Sequence, residues 1–580
     1  MLSTPLRWRR CVVAEHTRTN EPTIVLKFGG SVLLDQRHLN LAVHEIYRWR
    51  RDGYRVVAVV SALQGETESL IHLNQCLAPG STPTARASLV GLGELKSGAL
   101  LGLLLDRAGV PARVLSPAAL GLICQGDGLN ADPIEIDTRL IELGLEHDGV
   151  VVVPGFVGID TQGRTVTLGR GGSDSTAVFI AGKLGACRCR LIKDVDGLYE
   201  ADPATHEQPD RYTTVSYDDA LKSDGSIIQY KSINIARSFG VELELGRFNG
   251  TGPTIIGDRL TQKHAQTDRV KQLSVVICGL GTVGSGLVEQ LAPLGRSFNI
   301  IGASCRTPEK HDSLVASTNE ITTDSLALAT GDADVLVELI GGIEPAKQIV
   351  ETAIRHGKHV ITANKALIAE HGQELHRLAE EHGVRLLYSA SVGGGLPVLE
   401  RLRDLDASSI SGILNGTSQY VLSAIADGVP YAQAIEDAQR LGYAEADPSR
   451  DLDGRDALDK LRVIALQLGW AGFEIEPPAC DPASIQPESA PHIQIAQISP
   501  LRASVQLEAV DAGSPLAGLG AADNLVQIHN ADGSVVAVRG KGAGRWPTSE
   551  SVLGDLLELS RDLGKQSNQD APAGKEIAYA

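Results

Sequence analysis

Two glycine-paired turns stand early in the chain. In TIVLKFGGSVL, Thr23 to Leu33, an apolar run ends in Lys27, Phe28, Gly29, Gly30 and Ser31. The glycine pair lets backbone N–H groups approach a phosphate, and Lys27 adds a point charge. In RTVTLGRGGSDSTAVFIAGKLGA, residues Arg170, Gly171, Gly172, Ser173 and Asp174 sit at the mouth of another strand. The N-terminus of the helix that follows favours an anion. Further on, LSVVICGLGTVGSGLVEQL reads strand, then Gly279-x-Gly281-x-x-Gly284 with Thr282 and Val283 inside the turn, then helix. That order is the dinucleotide fingerprint, which sets a pyrophosphate on the helix N-terminus. The next strand, FNIIGASCRTPEK, ends without the acid that would grip a ribose 2′-hydroxyl and offers Arg306, which leans toward NADP over NAD. HVITANKALIA carries Thr362 and a notable cation, Lys365, at a strand end beside that crevice. Last, AQRLGYAEADPSRDLDGRDALDKLRVIALQLG puts Asp456 and Lys460 four apart on one helix face, behind a loop crowded with Glu445, Asp447, Asp451 and Asp453.

These groups need elements that hold them at one edge. RVVAVVSALQGETESL gives a second buried strand running into a Ser/Gly/Thr loop that includes Thr67, and GLGELKSGALLGLLL sets Glu94 at a helix start beside small residues. RLIKDVDGLYEADP ends a further strand in acid-rich turns, while VLVELIGGIEPA and LLYSASVGGGLPVLERL are apolar strands ending in small or polar residues. In an open α/β sheet the ligand lies beyond such carboxyl ends. Leu458, Leu461, Ile464, Ala465 and Leu468 form the buried stripe of the Lys460 helix.

The whole chain sets bounds. Its 580 residues suit two to four domains. A composition 43% hydrophobic and 4% aromatic, with 62 glycines, favours glycine-turned α/β layers over aromatic-cored sandwiches. A formal charge of -18 argues against nucleic acid or anionic membrane as a partner. No apolar run is expected to cross a bilayer. Cysteines at 11, 76, 124, 187, 189, 278, 305 and 480 make no disulfide framework, which fits a reducing cytoplasm. Cys187 and Cys189 read as two reduced thiols on a strand. MLSTPLRWRRCVVAEHTRTNEP is arginine-rich but lacks the serine richness and amphipathic period of a transit peptide, so a disordered extension is expected. GKQSNQDAPAGKEIAYA reads as a polar tail.

KFGGS, VVSALQGET, GELKS, GRGGSD and KDVDGLYEADP occur in the order and at the approximate spacing of the amino-acid kinase family, and residues 22 to 258 resemble its aspartate kinases. The resemblance implies phosphorylation of the β-carboxylate of L-aspartate by ATP with Mg. It places Lys27, Gly29 and Gly30 at the phosphates and Glu94 on the aspartate ammonium. Arg170 and Ser173 would clamp a carboxylate, Thr67 would touch substrate, and Asp194, Tyr199 and Asp202 would border the nucleotide. Three positions depart from the family: Ile227 stands where its late lysine is expected, with Gln229 and Tyr230 at or near a Leu-His pair, and Lys193 replaces a small hydroxyl residue. Lys193 or Lys231 is left to supply the missing cation. GLGTVGSG, ELIGGIEPA, TANKALIA, GILNGTSQY, GYAEADP, DGRDALDK and GKGAG, over about residues 272 to 560, resemble homoserine dehydrogenase. That resemblance implies reversible hydride transfer from NAD(P)H to L-aspartate 4-semialdehyde, with Lys460 as proton donor and Lys365 beside substrate and nicotinamide. Glu445, Asp451 and Asp456 would bind substrate. Gly279, Gly281, Thr282, Val283, Gly284, Arg306 and Thr362 would hold the cofactor, and Gly442 and Gly542 would close over it. A sodium or potassium ion on the Val392 and Gly394 carbonyls is also implied, although Ser389 replaces the glutamate of that site.

The expected architecture is therefore α/β. A flexible extension (1–21) precedes a three-layer kinase domain (22–258), a linker (259–271), a Rossmann NAD(P)-binding domain (272–405), an α+β substrate and dimerisation domain (406–560) and a flexible tail (561–580). The segment PTSESVLGDLLEL should return as a helix to the nucleotide domain, and a homodimer or homotetramer acting on small molecules is expected. The alternative is a working dehydrogenase carrying a kinase-like module that binds or assembles without catalysis. Fusions of this kind usually carry paired ligand-sensing modules between the halves, and the short polar joint leaves no room for them. Threonine or lysine should therefore not inhibit through such modules. Initial rates of both reactions against either amino acid test this, and micromolar threonine inhibition with curved kinetics would refute it.

Overall fold

In the computed structural model, residues 21–569 are described apart from 203–204, 207–208, 224, 251, 265–271, 486–489, 512–515, 517–518 and 521–522. The expected N-terminal extension, most of the linker and the end of the tail thus lie outside the described residues. The chain divides into two compact units: Glu21–Leu367, Glu374–Ala390 and the stretch from Gly544 onward form the larger, and Ile368–Gln373 with Ser391–Ala543 form the smaller.

The larger unit contains two main sheets. Strands such as Arg55–Val60, apolar after its first residue, and Val150–Pro154 need cover on both faces, and that favours parallel strands between helical layers. In the first sheet the order is Gln262–His264, Arg211–Ser216, Thr254–Gly257, Leu243–Arg247, Arg188–Lys193, Thr23–Phe28, Arg55–Val60, Val150–Pro154, Arg113–Val114. Its central strands run parallel, with Lys27 level with Val59 and Leu191. Alternation splits one strand between two cores: Ile24, Leu26 and Phe28 pack under the helix Leu39–Arg51, while Val25 packs with Ala177 and Val178 of the helix Gly172–Leu184. A small sheet of Asn130–Glu135, Ile123–Asp127, Val157–Ile159 and Thr165–Thr167 leads into the turn at Gly169–Gly172.

Contrary to expectation, the stretch Pro83–Ala108 is long and apolar enough, by composition, to cross a bilayer. It runs through a break at Gly91, and Leu101, Leu105 and Ala108 are buried in the core of the first sheet. Burial accounts for part of its apolar character, since Leu92 and Leu103 of the same stretch are exposed.

The second sheet is parallel throughout, in the order Ile321–Thr322, Phe298–Ser304, Leu273–Cys278, Val335–Glu338, His359–Thr362, Leu386–Leu387. Strand order reverses beside Leu273–Cys278, which opens the crevice where such sheets bind ligands. The last helix, Arg545–Gln569, lays Val552, Leu553, Leu556 and Leu559 into this core. It runs into the stretch expected as a tail, where Leu563 still packs, partly buried, against the same core. The expected linker likewise starts inside a sheet, since Gln262–His264 pairs antiparallel with Arg211–Ser216.

The smaller unit is a sheet in the order Glu474–Ile475, Arg502–Ala509, His492–Ile498, Ala407–Ile413, Asp523–Asn530, Val535–Lys541, antiparallel apart from its first pair. The helices Gly416–Ala426 and Arg455–Gln467 pack against His492–Ile498. This unit begins at Ser391, earlier than the expected boundary. The glycine loop explains the shift: Gly395 N–H donates to the Lys541 carbonyl at 3.3 Å, and a Cβ on Gly394 would lie 2.9 Å from the Gly542 oxygen. Three-layer α/β, Rossmann and α+β parts all appear.

Candidate active sites

The carboxyl ends of Thr23–Phe28, Arg55–Val60 and Arg188–Lys193 open on a cleft of about 610 Å³. Lys27, Gly29, Gly30, Thr67, Glu94, Arg170 and Ser173 all line it, together with Asp174, Lys193 and Ile227. Asp174 is buried at the start of the helix Gly172–Leu184 and bridges two lysines, Oδ1 at 2.5 Å from Lys27 Nζ and Oδ2 at 2.7 Å from Lys193 Nζ. Burial alone would raise its carboxyl, but the two ammonium groups outweigh that and hold it below the usual range. Burial pulls Lys27 down to about 8, with Asp174 opposing and Lys193 adding to the fall. Gly171 takes φ of +73°, and a Cβ there would overlap the Gln229 side chain, so glycine is required.

Glu94 faces the same cleft. Its Oε1 accepts the Ala62 N–H at 3.2 Å and its Oε2 has no hydrogen-bond partner. Burial pushes the carboxyl up to about 7, with the Ala62 donor offsetting part of the rise.

Of the two lysines considered as replacements at the Ile227 end, Lys193 is in the cleft. Lys231 is not: its Nζ pairs with Asp132 at 2.8 Å and donates to the carbonyls of Ala131 and Leu168. Asp194, Tyr199 and Asp202 follow the strand Arg188–Lys193 but do not line the cleft around Lys27. Tyr199 donates its hydroxyl to Asp196 at 2.8 Å, and the Asp202 carbonyl accepts the N–H groups of Thr205 and His206. Cys187 is exposed just ahead of that strand, its thiol donating to the Thr23 carbonyl at 3.1 Å, and Cys189 is buried within the strand.

In the second sheet Gly279 takes φ of +109°, and a Cβ there would lie 2.6 Å from the Leu339 carbonyl. Gly281 and Thr282 are exposed at the start of the helix Thr282–Leu291, Gly284 is buried, and the Val283 carbonyl accepts Ser549 Oγ. Arg306 is exposed just past Phe298–Ser304. A residue the sequence did not single out organises the neighbouring ends: buried Glu338 accepts the N–H groups of Ile340 and Gly341 at 2.8 and 3.1 Å and the Thr362 hydroxyl at 2.5 Å. Thr362 Oγ1 in turn accepts the Asn364 N–H, and Asn364 caps the helix that opens with half-buried Lys365.

In the smaller unit Lys460 Nζ lies 2.8 Å from Asp456 Oδ2 and donates to the Leu414 carbonyl at 2.5 Å. Asn415, also not foreseen, joins the group: its amide donates to Asp456 at 2.8 Å and to Asp451 at 2.7 Å, while its oxygen accepts the Ser418 N–H. An asparagine before a helix is a legible cap. Its second contact, to two distant acids, is not. Of the other loop acids, Asp453 pairs with Arg455, Asp447 accepts the Ser449 N–H, and Glu445 is exposed. Gly442 is exposed with φ of +80°, whereas Gly542 is buried against Asn524. Val392 is fully buried.

Residues 279–389 match the family model for the NAD binding domain of homoserine dehydrogenase, and residues 397–557 match the homoserine dehydrogenase model. The chain is 36% identical over 321 residues to a homoserine dehydrogenase of Synechocystis sp., spanning 50% of this chain and 73% of that protein. A Pseudomonas aeruginosa homoserine dehydrogenase is 34% identical over 330 residues, 52% of this chain and 76% of that one. The chain belongs to the homoserine dehydrogenase family. Ahead of that part, residues 22–240 match the amino acid kinase family, and 237 residues are 35% identical to an aspartokinase of Helicobacter pylori, 40% of this chain and 58% of that protein. The protein is thus a homoserine dehydrogenase with an amino acid kinase domain fused before it.

Both nucleotide sites suit their ligands. The dehydrogenase turn leaves open space at Gly281, where a Cβ would meet nothing, beside free N–H groups of a helix start. The kinase cleft gathers Lys27 and Lys193 beside glycine turns. Among the described residues no group of three or more His, Cys, Asp or Glu side chains is arranged to hold a metal ion.

The raised Glu94 carboxyl has a measurable consequence. Its folded value of about 7 lies above the ordinary 4.5, so ionisation opposes folding as pH rises through that window. Urea unfolding of Glu94→Gln beside wild type should show the difference moving in favour of the variant by about 3 kcal/mol from acid to neutral pH. A difference that stays flat would mean Glu94 is not raised.

Proposed function

We propose that the chain is bifunctional: its kinase domain phosphorylates the β-carboxylate of L-aspartate, and its dehydrogenase domains interconvert L-aspartate 4-semialdehyde and L-homoserine. The observation that carries the kinase reading is the buried Lys27–Asp174–Lys193 bridge beside an unpartnered Glu94 oxygen. Mg-ATP supplies the phosphoryl group. Lys27 and Lys193 then stabilise negative charge on its oxygens, as phosphoryl transfer demands, and Lys193 supplies the cation lost at Ile227. Glu94 Oε2 accepts the substrate ammonium, which returns the carboxyl to its charged form. Arg170 and Ser173 hold a carboxylate, Thr67 contacts substrate, and Asp194, Tyr199 and Asp202 border the nucleotide.

NADP, or NAD, supplies or accepts the hydride in the second reaction. Lys460, paired with Asp456, gives a proton to the carbonyl oxygen as its carbon is reduced and takes it back in the reverse direction. Asp456, Asp451 and Glu445 bind the substrate's polar groups, and Lys365 and Thr362 line the cofactor crevice. Arg306, exposed past the second strand, favours NADP. A monovalent cation on the Val392 and Gly394 carbonyls, cofactor closure by Gly442 and Gly542 and a homodimer or homotetramer rest on family resemblance alone, and a cytoplasmic setting on the scattered cysteines.

Ile227 at the cleft wall favours a second reading, in which the kinase fold binds without turnover. Aspartyl hydroxamate formation by the purified chain decides between the two, with homoserine oxidation as a check on folding. Under the first reading Lys27→Ala abolishes hydroxamate formation and leaves homoserine oxidation intact. Absence of hydroxamate from the wild-type chain, with ATP still bound, would establish the second. Lys460→Ala should cut homoserine oxidation roughly 100- to 10,000-fold, and an undiminished rate would remove Lys460 from the mechanism.

A further inference from the structure

The kinase helix Leu39–Arg51 and the C-terminal helix Arg545–Gln569 lie together inside the larger unit, and charged groups are buried where they meet. Arg51 Nη2 donates to Asp555 Oδ1 at 2.6 Å, to Glu558 Oε2 at 3.0 Å and to Ser389 Oγ at 3.4 Å, and Nη1 reaches the Ser551 carbonyl. The Arg51 side chain is 4% exposed and Asp555 is 0% exposed, so neither charge has water as an alternative partner. A Cβ at Gly554 would overlap the guanidinium, so that glycine leaves it room. Two turns earlier on the kinase helix, His44 Nδ1 contacts Glu550 Oε1 at 2.6 Å, and the other oxygen of Glu550 accepts Gln290 Nε2 at 2.9 Å. Leu41 and Phe248 of the kinase domain pack against the apolar core of the second sheet.

Asp555 links this contact to the dehydrogenase. Its second oxygen accepts the Ser389 N–H at 3.1 Å, and Ser389 follows the last strand of the dinucleotide sheet at the carboxyl end. We infer that Arg51, a residue of the kinase domain, is a positioning residue of the dehydrogenase: it fixes Asp555, which fixes the backbone at Ser389 on the rim of the cofactor crevice. The kinase fold then serves the second reaction whether or not it catalyses the first. This inference rests on the dehydrogenase reading above.

Two full-length variants test it. Arg51→Met removes the guanidinium and leaves Asp555 a buried uncompensated charge, while Arg51→Met with Asp555→Asn removes both charges and should restore stability. Hydrogen exchange across Leu386–Ala390 and homoserine oxidation are followed together with thermal unfolding. In Arg51→Met the Ser389 amide should exchange at least tenfold faster and kcat should fall at least tenfold. In the double variant Tm should return toward wild type while kcat stays low. Wild-type exchange at Ser389 in Arg51→Met, or a double variant that regains wild-type kcat with its stability, would overturn the inference. If the wild-type chain oxidised no homoserine, the dehydrogenase reading would fail, and the exchange measurement would still judge the Arg51 contact.

Discussion

A charge taken out of water destabilises a fold unless an opposite charge or a set of dipoles meets it. Among the described residues, three of the buried pairs that meet this constraint are Lys27 and Lys193 on Asp174, Lys460 on Asp456, and Arg51 on Asp555. The first two lie in the candidate active sites. Each pairs an ammonium group with a carboxylate in a partly dry setting, where charge acts on developing negative charge more strongly than it would in bulk water. The third lies at no ligand site and joins two domains of different chemistry.

The parallel sheets place the first two kinds of group. Strands buried on both faces leave their carboxyl ends as the edge where polar side chains and helix N-termini gather. Lys27, Ala62 and Lys193 meet in this way from three adjacent strand ends, and Glu94 is brought over them by a helix. Glu338 does comparable service in the second sheet, where one carboxylate satisfies two backbone N–H groups and the Thr362 hydroxyl. The turns around it are held by that accounting of donors rather than by apolar packing.

The C-terminal helix faces two ways. Leu553 and Leu556 close the core of the dinucleotide domain, while Glu550, Asp555 and Glu558 face His44 and Arg51 of the kinase helix. A carboxylate-bearing face on a helix is ordinarily solvated. Here the kinase domain covers it and supplies the matching charges, so the two halves of the fusion share a polar interface as well as a covalent joint.

By itself the sequence determined the elements and the chemistry they carry. KFGGS, GRGGSD and Gly279-x-Gly281-x-x-Gly284 are local patterns in which glycine conformation, strand and helix start are set within a few residues, so they are readable without a fold. The same holds for Asp456 and Lys460, since one helical turn brings them together. Tertiary structure decided which distant groups complete them. That Lys193 rather than Lys231 stands by Lys27, that Asn415 bridges Asp451 and Asp456, and that Arg51 reaches Asp555 depend on contacts between residues far apart in the chain. Such contacts leave no periodicity in either segment, because burial and pairing of charge are properties of the packed elements and not of their spacing.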